Sequence, residues 1–259
     1  MTRVLMRARL LAIALLLSAA IPHASVAGTL SIVGPDQWAH VAYVYDGDTL
    51  RTDDGEKVRL LGINAPEVAH DNEPGQPLGE EAGNRLRALV LGQEVRLQTD
   101  EVHRDVYGRL LAHVYLRDGT WIDGLLVKEG LAHVYLFPPN FLHADALLRE
   151  EDTARSSRLG IWATGRFRVL AATEVSRAEA GQFRVVEGTV TRMQRNGLGF
   201  RMARLNVSIP RAYRRYFSGR LALAAGTRVR VRGTVRVSGK NRLYLALHSP
   251  FNLSIISMP

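Results

Sequence analysis

The sequence contains no cysteine. That excludes disulfides, thiolate-held zinc, cysteine nucleophiles and a lipidated-cysteine anchor, so any metal must be held by oxygen or histidine. The apolar run at residues 10–20 is also short, about half of the roughly 20 residues that a bilayer-spanning helix needs. Acidic residues are scarce in the last third: residues 165–259 carry 3 Asp/Glu against 18 Lys/Arg, a net of +15, whereas residues 28–164 carry 22 against 13, a net of −9. This asymmetry suggests two units. The basic one suits a polyanion such as nucleic acid or an anionic surface, or its charge docks onto the acidic neighbour.

Residues 1–27, with Arg3, Arg7 and Arg9 ahead of the apolar run and small residues before Gly28, have the shape of a secretory signal. The mature chain is thus expected to be exported, periplasmic or secreted, with no stable membrane span. The rest divides into a unit at 28–164, a linker at 165–182 rich in Ala, Gly and charge, and a basic, β-rich unit at 183–259.

Short strands alternate with helices in the first unit. Strand patterns are expected near 38–45, 50–52, 57–63, 93–99 and 109–116, with Tyr43, Tyr45, Tyr115 and Trp162 read as core. Helices are expected over 79–91, 121–129 and 141–158, and a polar loop at 68–77 is a candidate lid. The class is α+β, built on a small barrel. In the second unit strands are expected over 183–193, 198–209, 227–237 and 242–248, with a helix over 210–218. The third places Arg228, Arg230, Arg232 and Arg236 on one face opposite valines, a row expected either to bind nucleic acid or to lie solvated. This unit suits a small β-barrel of OB-like type.

The stretch from Tyr45 to Glu67, YDGDTLRTDDGEKVRLLGINAPE, carries the chemistry. Asp46-Gly47-Asp48-Thr49 is a turn signal that can aim two carboxylates at one ion. Asp53 and Asp54 are turn formers. Arg59 sits in the next strand, and Pro66 ends it, leaving Glu67 at the strand exit. Arg59 and Arg109 suit a phosphodiester, since a planar guanidinium donates two parallel hydrogen bonds to phosphate oxygens. Glu67 is a candidate general base. Asp105 and Glu151 read as structural carboxylates, and no histidine pair has a convincing ligand spacing.

DGDT, VRLLGINAPE, RDVYGRLLAHVYL, LLVKEGLAHVYL and GIW, in that order, resemble the staphylococcal nuclease (thermonuclease) family over residues 38–162. The resemblance implies an OB-type five-stranded barrel with three helices that hydrolyses DNA and RNA with Ca2+. It also implies roles: Arg59 and Arg109 bind the phosphate and stabilise the transition state, and Glu67 is the general base. Asp48 ligates calcium, with Asp46 nearby and Ala65 lending its carbonyl, while Tyr107 and Tyr135 lie near the nucleotide. One position departs, because Asn64 stands where the family usually has a second calcium-ligating aspartate. That departure leaves open a second reading, a catalytically weak nuclease fold that binds nucleic acid or a surface.

Overall fold

The computed structural model describes residues 37–69 and 74–259. The expected signal at 1–27 and the centre of the candidate lid, 70–73, lie outside the described residues. In the first half, β1 (Gln37–Val44), β2 (Thr49–Thr52) and β3 (Lys57–Leu60) are followed by the short β4 (Ile63–Asn64) and helix α1 (Gly79–Val90). Then come β5 (Glu94–Gln98), β6 (Leu110–Tyr115), α2 (Ile122–Lys128), β7 (His133–Val134) and α3 (Ala144–Ser156). β1, β2, β3, β6 and β5 close a five-stranded barrel in that order, with β3 and β6 parallel. Alternating Val41, Leu50, Val58, Leu60, Val95, Leu97 and Val114 fill it, and α1 adds Ala82, Leu86 and Val90 from its apolar face.

Two deviations from simple alternation have local causes. The expected strand 57–63 divides at Gly62, whose φ of 75° favours glycine and where a Cβ would meet Leu147 Cδ1 at 2.4 Å. Tyr43 and Tyr45, expected as core, are 48 % and 38 % exposed. A register shift between Val41 and Tyr43 in the β1–β2 pairing re-aims the strand, and the two rings pack edge to face on the surface, Tyr45 beneath Lys57 and Tyr43 beneath Arg51. Tyr115 and Trp162 are buried as expected.

The second half holds β8 (Leu170–Ala171), β9 (Phe183–Thr189), β10 (Arg192–Met193), β11 (Gly199–Met202), β12 (Leu205–Ser208), β13 (Arg228–Val237), β14 (Leu243–Ala246) and β15 (Leu253–Ser257). They form one eight-stranded sheet in the order β10-β11-β12-β14-β13-β9-β8, with β15 pairing to β13. The run 198–209 is a hairpin because Ala203 takes φ 46° and reverses the chain. Residues 210–218 hold a 3-10 turn, Arg211–Tyr216, instead of an α-helix. The stretch 165–182, read as a linker, contributes buried Phe167, Leu170, Ala172 and Val175.

This sheet is tied to the barrel half along β13 and α3. Arg232 is 5 % exposed and donates to both carboxylate oxygens of Glu151, which is wholly buried on α3 and also accepts the Val134 N–H at 2.7 Å. Arg230 bridges Glu187 and Asp152, and Arg228 pairs with Glu187. His133 stacks on Phe183, ring centroids 4.0 Å apart, while Phe137 meets Tyr213 and Phe141 meets Phe251. Charge docking, one of the two readings of the asymmetry, is thus what β13 does.

Burial holds His133 neutral, pushing its pKa down to about 4; Glu151 opposes this and Arg232 adds to it. A histidine whose folded pKa lies below its unfolded value costs stability once the unfolded chain begins to bind the proton. Melting temperature should therefore be flat above about pH 6.5 and fall as pH drops from there toward about 4. Substituting His133→Phe should make that limb shallower in a melting series across this range, the remainder belonging to His143, whose pKa burial also lowers to about 4; an unchanged limb would place the acid sensitivity elsewhere.

Candidate active site

Asp46 and Asp48 occupy the turn between β1 and β2, and local hydrogen bonding shapes it. The Asp46 carboxylate accepts the Asp48 N–H at 2.9 Å, so the turn closes on its own side chain. Gly47 is required for packing, because a Cβ there would lie 2.6 Å from the Cβ atoms of Ala65 and Ala82. Asp48 is buried: Oδ2 accepts the Ala65 N–H at 2.8 Å and faces Arg59 Nη2 at 3.0 Å, while Oδ1 accepts the Thr49 hydroxyl. Burial raises the Asp48 pKa, Arg59 offsets part of that, and the Asp46 charge raises it again. Two carboxylates share one poorly solvated turn, so added positive charge there is favourable.

Arg59 projects from β3 and is held on several sides. It donates to the Leu60 and Ile63 carbonyls at 2.8 and 3.0 Å and to Asn64 Oδ1 at 3.0 Å, besides its pair with Asp48. Asn64 sits on β4, and its Nδ2 donates to the Ala65 carbonyl at 3.0 Å. Asn64 therefore bridges the arginine to the backbone atom expected to serve a cation. Glu67 follows three residues after Asn64, exposed, and its carbonyl accepts the Gln76 N–H at 2.8 Å, tying the far end of the candidate lid to its base.

Arg109 leaves the turn before β6. Its Nε pairs with Asp105 at 2.7 Å, and Asp105 also accepts the backbone N–H groups of Tyr107 and Arg109. Burial works to raise the Asp105 pKa, but these hydrogen bonds outweigh it and hold the carboxyl below its usual range, ionised and fixed. Asp105 is thus the structural partner the sequence suggested.

Arg59, Arg109, Tyr107 and Tyr135 line one cleft of about 570 Å3, together with Phe137 and Arg104. Tyr107 is 83 % exposed at the rim, with the Arg109 guanidinium 5.6 Å from its ring centre. Three arginines about the cleft, with two tyrosines, suit a phosphate with an attached ring. Sequence reasoning overlooked Arg104, which pairs with Glu56 and donates to the Gly108 carbonyl. It also overlooked Asn140, which clamps Val102 through both backbone groups at 2.8 Å. The spacing of Arg104 and Arg109 across one turn was the available signal.

Arg228, Arg230 and Arg232 do not join this cleft. All three are ion-paired: Arg228 to Glu187 of β9, Arg230 to Glu187 and Asp152, and the buried Arg232 to Glu151, so two of the three arginines expected to bind substrate are engaged with α3.

Hard oxygens are what the turn and the end of β4 together offer a cation: the Asp46 and Asp48 carboxylates from the turn, and the Asn64 amide and Ala65 carbonyl from β4 and the residue after it. That chemistry fits calcium, with water completing the shell. Among the described residues no group of three Asp, Glu or His side chains is arranged to hold a metal.

The family model described as Staphylococcal nuclease homologue matches residues 57–164. The chain is 40 % identical over 125 residues to Thermonuclease of Staphylococcus intermedius, covering 47 % of this chain and 74 % of that protein. It is 43 % identical over 122 residues to the SPbeta prophage-derived endonuclease YokF of Bacillus subtilis (strain 168), 45 % of this chain and 41 % of that one. With Endonuclease YncB of the same strain it shares 42 % over 122 residues, 45 % of this chain and 57 % of the relative. The match thus spans about half the length of the two Bacillus relatives, and the basic sheet after residue 164 lies beyond the family model.

Proposed function

Because the chain belongs to the staphylococcal nuclease homologue family, we propose that it is a nuclease hydrolysing phosphodiester bonds of DNA and RNA, dependent on calcium and acting after export. The observation that carries the reading is the convergence of Arg59, Arg109, Tyr107 and Tyr135 on one cleft, with the Asp46–Asp48 turn beside Arg59.

Arg59 and Arg109 would donate to the non-bridging oxygens of the scissile phosphate, and both are oriented in advance by Asp48 and Asp105. Glu67 accepts a proton from a water molecule as its oxygen bonds to phosphorus, and the bond from phosphorus to the leaving oxygen breaks. Negative charge gathers on the equatorial oxygens, where the guanidiniums face it. Tyr107 and Tyr135 would position the nucleotide. Asp46, Asp48, Asn64 and Ala65 would hold calcium, which supplies positive charge near the phosphate when bound. Arg59 is placed to exchange its carboxylate partner for a phosphate oxygen.

A plasmid-nicking assay with calcium or EDTA tests the proposal. Calcium-dependent cleavage by the wild type supports it, whereas cleavage no faster than that of Glu67→Gln favours the weak-enzyme reading that Asn64 raises. Asn64→Asp adds a formal charge to the cation site and should tighten calcium binding roughly tenfold by calorimetry. No gain in affinity would remove Asn64 from the site.

A further inference from the structure

The three acidic residues after residue 164 are all committed. Glu174 pairs with Arg168, Glu179 caps Ser176, and Glu187 takes Arg228 and Arg230. Yet a second cleft, about 790 Å3, is lined by Arg177, Arg192, Arg201, Arg204 and Arg242, with Asn206 and no carboxylate. Among the described residues none of these five arginines has an ion-pair partner.

Strand register explains how they meet. Arg192 on β10 lies directly opposite Arg201 on β11, which lies opposite Asn206 on β12. Asn206 is opposite Tyr244 on β14, and Tyr244 opposite Arg236 on β13. Cross-strand partners share a face, and the alternate residues Phe200, Met202, Leu205, Val207, Leu245 and Val235 are buried on the other. Like charges placed directly opposite destabilise a sheet unless an anion lies between them. From Arg192 to Arg236 the row crosses four strand spacings, about 19 Å, which is too long for one phosphate and suited to a chain of them. Tyr244, between Asn206 and Arg236 in the row, offers a ring on which a base can stack.

We propose that the outer face of β10, β11, β12, β14 and the end of β13 is a binding track for the backbone of single-stranded nucleic acid. The identity of the polyanion rests on the nuclease reading; the track itself rests on the unpaired arginines. It replaces Arg228, Arg230 and Arg232 as the recruiting surface and offsets the repulsion that the acidic barrel half exerts on its substrate.

The test uses the full chain with Glu67→Gln, so that binding is measured without cleavage. Anisotropy of a labelled single-stranded DNA of about 20 nucleotides is followed from 50 to 200 mM salt. Adding Arg192→Gln and Arg201→Gln should weaken affinity at least tenfold at low salt and lower the salt slope by about 2, roughly one per phosphate contact. In the otherwise wild-type chain the same pair should leave dinucleotide cleavage unchanged while slowing that of dilute polymer. Both side chains are exposed, and an unchanged melting temperature checks folding. Arg149→Gln with Arg158→Gln makes the same charge change on and just after α3 and should have little effect. Unchanged affinity and slope, or an equal loss in that control, would overturn the track. So would loss of binding to phosphatidylglycerol vesicles with DNA binding intact, which would make the face a lipid site. If the wild type cleaves nothing but arginine-dependent DNA binding persists, the nuclease reading fails and the track stands.

Discussion

Glu67→Gln should lower the rate of calcium-dependent DNA cleavage by about 10²–10⁴-fold while leaving the melting temperature unchanged. The loss of rate follows from the role proposed for Glu67, and the unchanged stability from its position. Glu67 is exposed and no side-chain hydrogen bond or ion pair ties it to the barrel among the described residues, so the amide swap removes a proton acceptor without opening a cavity or orphaning a partner. Arg59 behaves differently. Its guanidinium serves Asp48, Asn64 and two carbonyls, and truncating it leaves a buried carboxylate uncompensated, so loss of activity in Arg59→Ala would mix chemistry with unfolding. Glu67→Gln is therefore the cleaner assignment. The measurement is a single-turnover rate on a short oligonucleotide at saturating calcium. A drop of less than tenfold would show that Glu67 is not the general base.

The largest expected loss of stability is at Arg232, remote from the chemistry. Arg232→Ala should destabilise the fold by about 3–5 kcal/mol in urea unfolding, because it leaves the buried Glu151 carboxylate with no close cation, only the Val134 N–H and a long contact to Arg155. In the native chain burial acts to raise the Glu151 pKa, but Arg232 prevails through its charge and hydrogen bonds and the net shift is downward. The pair therefore contributes stability above the unfolded glutamate value, and this is lost only as pH falls through the lower folded one. Without Arg232 burial wins, the folded pKa rises, and the variant should lose stability progressively as pH climbs above about 4.5. Glu151→Leu combined with Arg232→Met should recover most of the loss, since an apolar pair carries no desolvation cost; the Val134 N–H, left without its acceptor, limits the recovery. A double variant no more stable than Arg232→Ala would mean that the ion pair is not what joins α3 to β13.

That Arg59 and Arg109 meet at one cleft was legible only through the family resemblance, but the sequence by itself determined the short strands of the barrel and its three helices. Those features are written in short-range chemistry: turn residues such as Asp46-Gly47, strands of alternating valine and leucine, a proline that ends a ladder. Each acts within a few residues and survives whatever packs outside it. Asp105 was legible for the same reason, being four residues from the arginine it holds. Only the tertiary structure decided the fate of the basic third. Alternation in β13 says which arginines share a face but not what covers that face, and the cover is Glu151 of α3, 81 residues away in sequence. The arginines on the outer face of β10 and β11 looked like ordinary surface charge, because the registers that line up Arg192, Arg201, Asn206 and Tyr244 depend on a hairpin turning at Ala203 and a parallel pairing of β12 with β14. Long-range pairing distributes the charge, and sequence spacing does not encode it.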